Sequence, residues 1–212
     1  MRYQSRIKNK RAGFTLIELL VALSLFVFMV MLILPSSRPY QRRTVLEDMT
    51  YRIALAIRQT QNYAFFTKAN TTAAGVTTFD LGYGIAIKKY QPEGSGTEMM
   101  SYYIIFADTD KNKQMTGNYM TGDPWEEKMV LNGDVKIDLI CALRVSGVKE
   151  CSSTWAYVTF LLPDIDAYLF TPSGSGPNLA TQISLRLESG GEYRYVNISQ
   201  FGQISVSSTD PF

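Results

Sequence analysis

An apolar stretch near the amino terminus constrains this chain more than any other feature. Phe14–Leu34 contains one charged residue, Glu18, and only Thr15 and Ser24 as further polar residues. Twenty-one helical residues at about 1.5 Å each extend roughly 30 Å, the thickness of a bilayer core. The stretch therefore predicts a helix that is buried in a membrane or in the core of an assembly.

The residues before this stretch are basic. Met1–Gly13 carries five basic residues and no acidic one. Because such residues stay on the cytoplasmic side, we predict a single-pass protein of the inner membrane whose remaining chain is exported to the periplasm or cell surface. A secretory signal peptide is cleaved after a shorter apolar core. Here the candidate cleavage site, Gly13-Phe14, precedes the core, so that cleavage would remove the leader and retain the helix.

This junction resembles the amino-terminal signature of type IV prepilins and type II secretion pseudopilins. The resemblance implies cleavage after Gly13 by a prepilin peptidase and methylation of the new amino group of Phe14. Pro35 also matches, since such proteins often carry a proline at the end of the membrane-spanning stretch. The implied partners are the peptidase and methylase, other pilin or pseudopilin subunits and an assembly platform in the inner membrane. The residues that carry the resemblance are Gly13, Phe14, Thr15, Leu16, Ile17 and Glu18.

Glu18 lies near the cytoplasmic end of the predicted helix. A charged side chain in hydrocarbon costs at least ~2.5 kcal/mol on insertion scales, so it usually acquires a partner. The resemblance implies that this partner is the methylated amino terminus of a neighbouring subunit in a filament. In the alternative interpretation, Glu18 reaches the membrane interface as an ordinary helix-end carboxylate and the segment is a plain membrane anchor.

Removal of the leader changes the charge balance of the chain. The full chain has 21 Lys and Arg and 19 Asp and Glu, and loss of the five leader cations leaves a net charge of −3. The basic character therefore belongs to the targeting segment, and we predict no nucleic-acid partner. Histidine is absent, which excludes His-based triads, His metal sites and His acid–base catalysis. We predict a structural protein and not an enzyme.

The two cysteines, Cys141 and Cys151, are predicted to form a disulfide. Cysteine pairs in exported domains are usually oxidised. The residues between them contain a turn at Ser146-Gly147 flanked by strand-like segments. A bridge that closes such a short loop contributes roughly 2–3 kcal/mol. A redox-active or metal-binding thiol pair is the alternative interpretation.

The helix is predicted to continue beyond the apolar stretch, with a bend or an interruption by Pro35 and Pro39 around Ser36-Ser37-Arg38. Helical character is predicted to return from Arg43 to about Lys68. Apolar residues recur there at three- and four-residue spacing, the pattern of a helix face packed on a sheet. The stripe consists of Val45, Leu46, Met49, Ile53, Ala56, Ile57, Thr60 and Ala64. The predicted organisation is a leader at 1–13, a transmembrane or filament-core helix at 14–35, a head helix at 36–68 and a globular head at 69–212.

The globular head is predicted to be rich in β-strands, because apolar and polar residues alternate in short segments bounded by turn residues. The segments are 81–90, 99–107, 135–143, 154–162, 167–170, 182–188, 193–199 and 203–206. Residues 69–78 and 172–177 are predicted to be loops, and Gly190-Gly191 to turn a hairpin. The predicted fold class is α+β, with a long amino-terminal helix packed on an antiparallel β-sheet.

An acidic loop between two strands has two interpretations. Asp108, Asp110 and Asn112 have the D-x-D-x-N spacing that lets three side-chain oxygens converge on Ca²⁺. The rest of an EF-hand loop is missing, since Lys113 stands where glycine is needed and Tyr119 where a bidentate glutamate is needed. We favour a solvated polar turn, with a calcium site as the alternative, and predict no other cofactor.

Parts of the head resemble the pseudopilin H and FimT-type minor subunits. These parts are the helix at 51–64, the strand and acidic loop at 104–112 with 126–131, and the closing strands at 196–206. The resemblance implies a structural minor subunit of a pilus or a pseudopilus. The alternative is a pilin-anchored adhesin or DNA-binding module. Some DNA-uptake minor pilins carry basic residues around the carboxy-terminal glycine, whereas Gly202 is followed here by Gln203 and Ile204.

Overall fold

The computed structural model divides into two compact units, Met1–Gln41 and Arg42–Phe212. Some predicted features lie outside the described residues: the leader up to Ala12, Leu34, Pro35, Asp110, Tyr119 and most of the loop at 172–177. The structure describes residues 13–33, 37–66, 70–71, 77–78, 82–91, 100–109, 111–113, 115, 124–131, 134–161, 166–172 and 179–211.

The first unit contains helix α1, Leu16–Ile33. Its 18 residues extend about 27 Å. Among the described residues, no helix has the combined length and apolarity that crossing a membrane requires. The transmembrane span predicted at Phe14–Leu34 is therefore not confirmed.

Helix α2, Ser37–Phe65, begins one residue after the predicted start of the head helix at 36. Ser37 and Arg38, where a bend or an interruption was expected, already belong to the helix, and Ser36 lies outside the described residues. Pro39 is the third residue of α2. Proline is tolerated in the first turn, since the N–H group that it lacks has no partner within the helix there.

The apolar stripe of α2 is buried in the second unit, as predicted. Leu46, Ile53 and Ile57 are at most 1% exposed and share one core with sheet residues such as Ile85. Val45 departs from the prediction, with 42% of its surface exposed, because its neighbour Leu46 occupies the inward position. The stripe therefore contacts the sheet over most of its predicted length.

The sheet of the second unit is antiparallel throughout the described ladders. A separate small ladder consists of β1 (Asn70–Thr71) and β2 (Thr77–Thr78). The main strands are β3 (Gly82–Lys88), β4 (Tyr102–Asp108), β5 (Trp125–Val130), β6 (Lys136–Arg144), β7 (Lys149–Glu150), β8 (Trp155–Phe160), β9 (Ala167–Phe170), β10 (Leu179–Ser189), β11 (Glu192–Ser199) and β12 (Ile204–Ser207). Their order is β12-β11-β10-β9-β8-β3-β4-β5, and β6 pairs with β10 and β7. The predicted α+β fold is confirmed.

The small ladder corrects the loop predicted at 69–78. Asn70 pairs with Thr78, and Thr71 pairs with Thr77. Strands of two residues are too short to show the period-two alternation by which strands are recognised in a sequence.

Strand β5 was missing from the predicted strands. Glu126, Glu127 and Lys128 interrupt the alternation of apolar and polar residues in this segment. Its pairing with β4, for example Met129 with Tyr103, supplies the strand geometry. Among the described strands β5 ends the sheet order, and charged side chains at an edge discourage pairing with other chains.

The sheet branches at β10. Residues Gln182–Ser189 pair with β11, whereas Ala180–Glu188 pair with β6. Leu179 and Ala180, at the start of the strand, pair with β9. Three strands, β6, β9 and β11, therefore pair with β10 near its start.

Ion pairs join β6 and β10 on the face opposite the core. Arg186 Nη2 lies 2.6 Å from Asp138 Oδ2, and Lys136 Nζ lies 2.9 Å from Glu188 Oε2. The hydrogen bond from Lys136, helped by one from the Gly191 amide, lowers the pKa of the Glu188 carboxyl below its usual value. The same contact raises the pKa of Lys136. This contact therefore favours the charged state of both Lys136 and Glu188.

A further ion pair joins α2 to β11. Arg194 Nη2 donates to Glu47 Oε1 at 2.7 Å, and Arg43 Nε lies 3.6 Å from the same oxygen. The hydrogen bond from Arg194 lowers the pKa of Glu47. Because Arg194 is only 9% exposed, the carboxylate compensates a cation that is largely removed from water. This contact fixes the position of α2 along β11.

Replacement of Glu188 by Gln is expected to weaken the acid dependence of stability. A carboxyl whose pKa is lowered by folding contributes stability above its unfolded pKa, and that contribution is lost as the pH falls through the folded pKa. Below about pH 4.5 the unfolding free energy of the wild type should therefore fall more steeply than that of Glu188→Gln. Denaturant unfolding of the full chain in detergent at a series of pH values measures both slopes.

The matched control is Glu192→Gln, because Glu192 is an exposed carboxylate in the same hairpin. In this variant the unfolding free energy should fall with decreasing pH as steeply as it does in the wild type. Equal slopes for Glu188→Gln and the wild type would contradict the assigned ion pair.

Candidate functional site

The amino-terminal motif forms the start of a helix. Residues 13–15 are non-helical, and α1 begins at Leu16. The Glu18 amide donates a hydrogen bond to Thr15 Oγ1 at 3.3 Å, and the Leu19 amide donates to the Thr15 carbonyl at 3.2 Å. Thr15 is therefore the N-cap residue of α1, and Glu18 is its third helical residue.

This N-cap was not predicted, although the sequence contains its signal. T-x-x-E immediately before an apolar run is the capping-box pattern. The Glu18 carboxylate belongs to the first turn of α1, where the helix dipole favours a negative charge. Glu18 is thus suited to stabilise the helix start as well as to serve the assembly role that the resemblance implies.

The Gly13-Phe14 peptide bond lies in the non-helical segment before the cap. Phe14 is 83% exposed. Within the described part of the chain, and apart from the two residues next to Gly13, no heavy atom lies within 4 Å of the position that a Cβ on Gly13 would occupy. A peptidase can bind an exposed, non-helical bond without first unwinding a helix. The geometry is therefore suited to cleavage between these two residues.

The side chains of α1 are exposed around the whole helix. Each one from Leu16 to Leu32 is exposed, and most are large and apolar. The Ser24 hydroxyl donates to the Val21 carbonyl at 2.8 Å, so its hydrogen-bonding need is met within the helix. Glu18 is then the single charge on an apolar cylinder, and such a surface is normally covered by lipid or protein.

Cys141 and Cys151 are joined in a disulfide, with their Cα atoms 4.0 Å apart. The bridge spans the hairpin of β6 and β7, where Gly147 adopts a φ of 81° and donates its amide to the Arg144 carbonyl. Arg144 Nε and Nη2 donate to Glu150 Oε2 at 2.9 and 2.7 Å. The predicted disulfide and its turn are present in the structure.

The acidic loop is organised around the buried carboxylate of Asp108. It accepts hydrogen bonds from the amides of Asn112 at 3.1 Å and Lys113 at 2.9 Å. Lys111 and Lys113 adopt φ values of 55° and 69°, in the left-handed region that is unfavourable for residues with a side chain. The carboxylate therefore stabilises a strained turn.

The predicted calcium ligands are only partly described. Asp110 lies outside the described residues, and the Asn112 side chain is exposed. Within the described part of the chain, no group of three or more His, Cys, Asp or Glu side chains is arranged to hold a metal. The Asp108 oxygens already accept backbone amides, and the calcium site stays an untested hypothesis.

A comparison with known families finds the motif at the start of α1. The family model described as "Prokaryotic N-terminal methylation motif" matches residues 8–34. No curated protein and no solved structure matches the chain. This motif is typical of type IV pilin-like and pseudopilin substrates of prepilin peptidase, a class of membrane-anchored proteins that assemble with other pilin subunits. The matched segment includes the site residues Gly13, Phe14 and Glu18.

Removal of the disulfide is expected to lower the unfolding free energy by roughly 2–3 kcal/mol, because a short loop gains freedom in the unfolded chain. The variant is Cys141→Ala with Cys151→Ala, which avoids burying a hydroxyl group. Denaturant unfolding of the full chain in detergent measures the difference. Reductant should lower the unfolding free energy of the wild type to that of the double variant, and it should leave the unfolding free energy of the variant unchanged. A double variant as stable as the oxidised wild type would contradict the prediction.

Proposed function

We propose that this protein is a structural, non-enzymatic minor subunit of a type IV pilus or a type II secretion pseudopilus, most similar to the pseudopilin H and FimT-type subunits. One observation carries the proposal. An exposed, non-helical Gly13-Phe14 bond stands directly before a helix with an exposed apolar surface and a single charge, Glu18.

Processing comes first in the proposed pathway. The basic leader stays in the cytoplasm, and the apolar stretch holds the precursor in the inner membrane with its head exported. Prepilin peptidase cuts after Gly13, and the new amino group of Phe14 is methylated. These steps require an accessible bond and no catalytic group of this chain.

Assembly follows through α1 in the proposed filament. Its exposed apolar side chains pack against the same helix of neighbouring subunits, which replaces lipid by protein. A carboxylate removed from water requires a nearby cation. The amino group of Phe14 in a neighbouring subunit supplies that cation for Glu18. Because the pair forms at one axial position only, it also sets the register between subunits.

The alternative function, an adhesin or DNA-binding module, would use the helix only as an anchor and bind through the head. The head contains lysines beside aromatic rings: Lys88 Nζ and Lys128 Nζ lie 5.3 and 4.4 Å from the ring centre of Tyr102. These ammonium groups are already engaged with a ring, and the mature chain has a net charge of −3. We therefore favour the structural role.

Mass spectrometry of the amino-terminal peptide tests the proposed processing. Sheared surface filaments and membranes are isolated separately from cells that make the protein. A methylated Phe14 terminus is expected in the sheared fraction for a pilus subunit, or in membranes alone for a short pseudopilus. Gly13→Ala should retain the leader, whereas the neighbouring control Ala12→Ser should lose it. An intact Met1 terminus in both wild-type fractions would overturn the proposal.

Replacement of Glu18 tests the proposed assembly. Glu18→Ala should be processed and reach the membrane, and its incorporation into filaments should fall roughly tenfold or more, because the neighbouring ammonium group is left buried without a partner. Quantitative immunoblotting of sheared and membrane fractions measures incorporation. Ser24→Ala is the matched control, since its hydroxyl bonds within the helix, and it should assemble normally. Normal incorporation of Glu18→Ala would remove the proposed role of the carboxylate.

A further inference from the structure

A cleft opens at the end of the sheet where β6, β9, β10 and β11 meet. Its volume is about 310 Å³, at the lower end of the range for ligand pockets. Its walls come from strands that are far apart in the sequence. They include Val145, Asp166, Leu169, Leu179, Ala180 and Gln200.

Backbone hydrogen bonds fix the floor of this cleft. The Ala167 amide donates to the Gln200 carbonyl at 2.7 Å, and the Gln200 amide donates to the Thr181 carbonyl at 2.8 Å. Ala180 pairs with Leu169 across β9 and β10. The cleft is therefore formed by the fold itself, and a partner that enters it does not have to order the backbone.

Exposed apolar side chains are concentrated around the cleft. Val145 and Leu179 line it and are 76% and 48% exposed. Val148, in the same hairpin as Val145, is 59% exposed, and Phe201, which follows Gln200, is 65% exposed. Single exposed apolar residues are ordinary, whereas a group of them around a concave site indicates an interaction surface.

Two contacts constrain the hairpin that carries Val145 and Val148. The Cys141–Cys151 disulfide closes its base, and the Arg144–Glu150 ion pair connects its two strands. An interaction surface that is ordered before binding loses less conformational entropy when a partner arrives. The hairpin is therefore a preorganised wall of the cleft.

Asp166 brings a negative charge to the cleft. Among the described residues that line it, Asp166 is the one charged side chain. Its carboxylate is exposed and makes no hydrogen bond or ion pair with any described residue. An available carboxylate beside apolar walls is complementary to an apolar group that carries a neighbouring positive charge.

We propose that this cleft binds a partner protein through a segment that presents an aromatic or aliphatic side chain next to a lysine or arginine. The apolar side chain enters between Val145 and Leu179, and the cation pairs with Asp166. This assignment goes beyond the proposed assembly through α1, since it places a second contact on the head.

Methyl NMR on the full chain in detergent tests this interaction. The probes are the dipeptides acetyl-Phe-Lys-amide and acetyl-Phe-Glu-amide. The first should move the methyl signals of Val145, Val148 and Leu179 in a saturable way. The second should bind more weakly. Asp166→Asn should lower the affinity for the lysine peptide by about two- to fivefold, which is the effect of losing an exposed ion pair. The variant should then bind the two peptides equally well.

Two serine variants separate the cleft from non-specific apolar binding. Val145→Ser removes an exposed side chain from the cleft and should abolish the shifts. Met100→Ser removes a comparably exposed side chain that does not line the cleft, and it should bind as the wild type does.

Three results would overturn the inference. They are equal affinity for both dipeptides, unchanged binding by Val145→Ser, and concentration-dependent shifts of the same methyl groups without peptide, which would assign the surface to a second copy of the chain. The measurement does not depend on cleavage after Gly13. A failure here therefore leaves the proposed function intact, and an uncleaved leader leaves this inference intact.

Discussion

Burial of one face of α2 against the antiparallel sheet is the interaction on which the second unit depends. Ile53 and Ile57 enter the same core as Ile85 of β3 and Leu185 of β10. Full burial of each such side chain contributes roughly 1.5–3 kcal/mol relative to leaving it exposed. Without the helix, the strands would expose their alternate apolar residues to water.

Helix α1 obeys a different constraint, because it has no polar face to turn toward water. Its apolar residues favour contact with lipid or with another protein. Where lipid or protein covers the helix, its one carboxylate, Glu18, requires a positively charged partner. Thr15 places the helix start immediately after the Gly13-Phe14 bond. One short motif thus determines where the chain is accessible, where the helix begins and which charge has to be paired.

The sequence predicted the elements whose pattern is local. The stripe of α2, most strands of the sheet and the hairpin at Gly190-Gly191 follow from spacing and turn residues. Strand β5 was missed because its charges hide the alternation, and the β1–β2 ladder because it is too short to have a period. The N-cap at Thr15 was missed although T-x-x-E was visible. The hydrogen bonds of the Asp108 carboxylate could not be predicted, because only the folded turn brings the amides of Asn112 and Lys113 to its oxygen atoms.

By itself the sequence determined the helix at Leu16–Ile33, the processing motif before it, the α+β class and the cysteine pair, because each depends on residues that are neighbours along the chain or repeat with a fixed period. The tertiary structure alone decided which strands meet at β10 and what surrounds the resulting cleft. Val145, Asp166, Leu179 and Gln200 belong to separate segments, and no local pattern relates them. Long-range strand pairing brings them together, and its energy depends on the whole core rather than on any one segment.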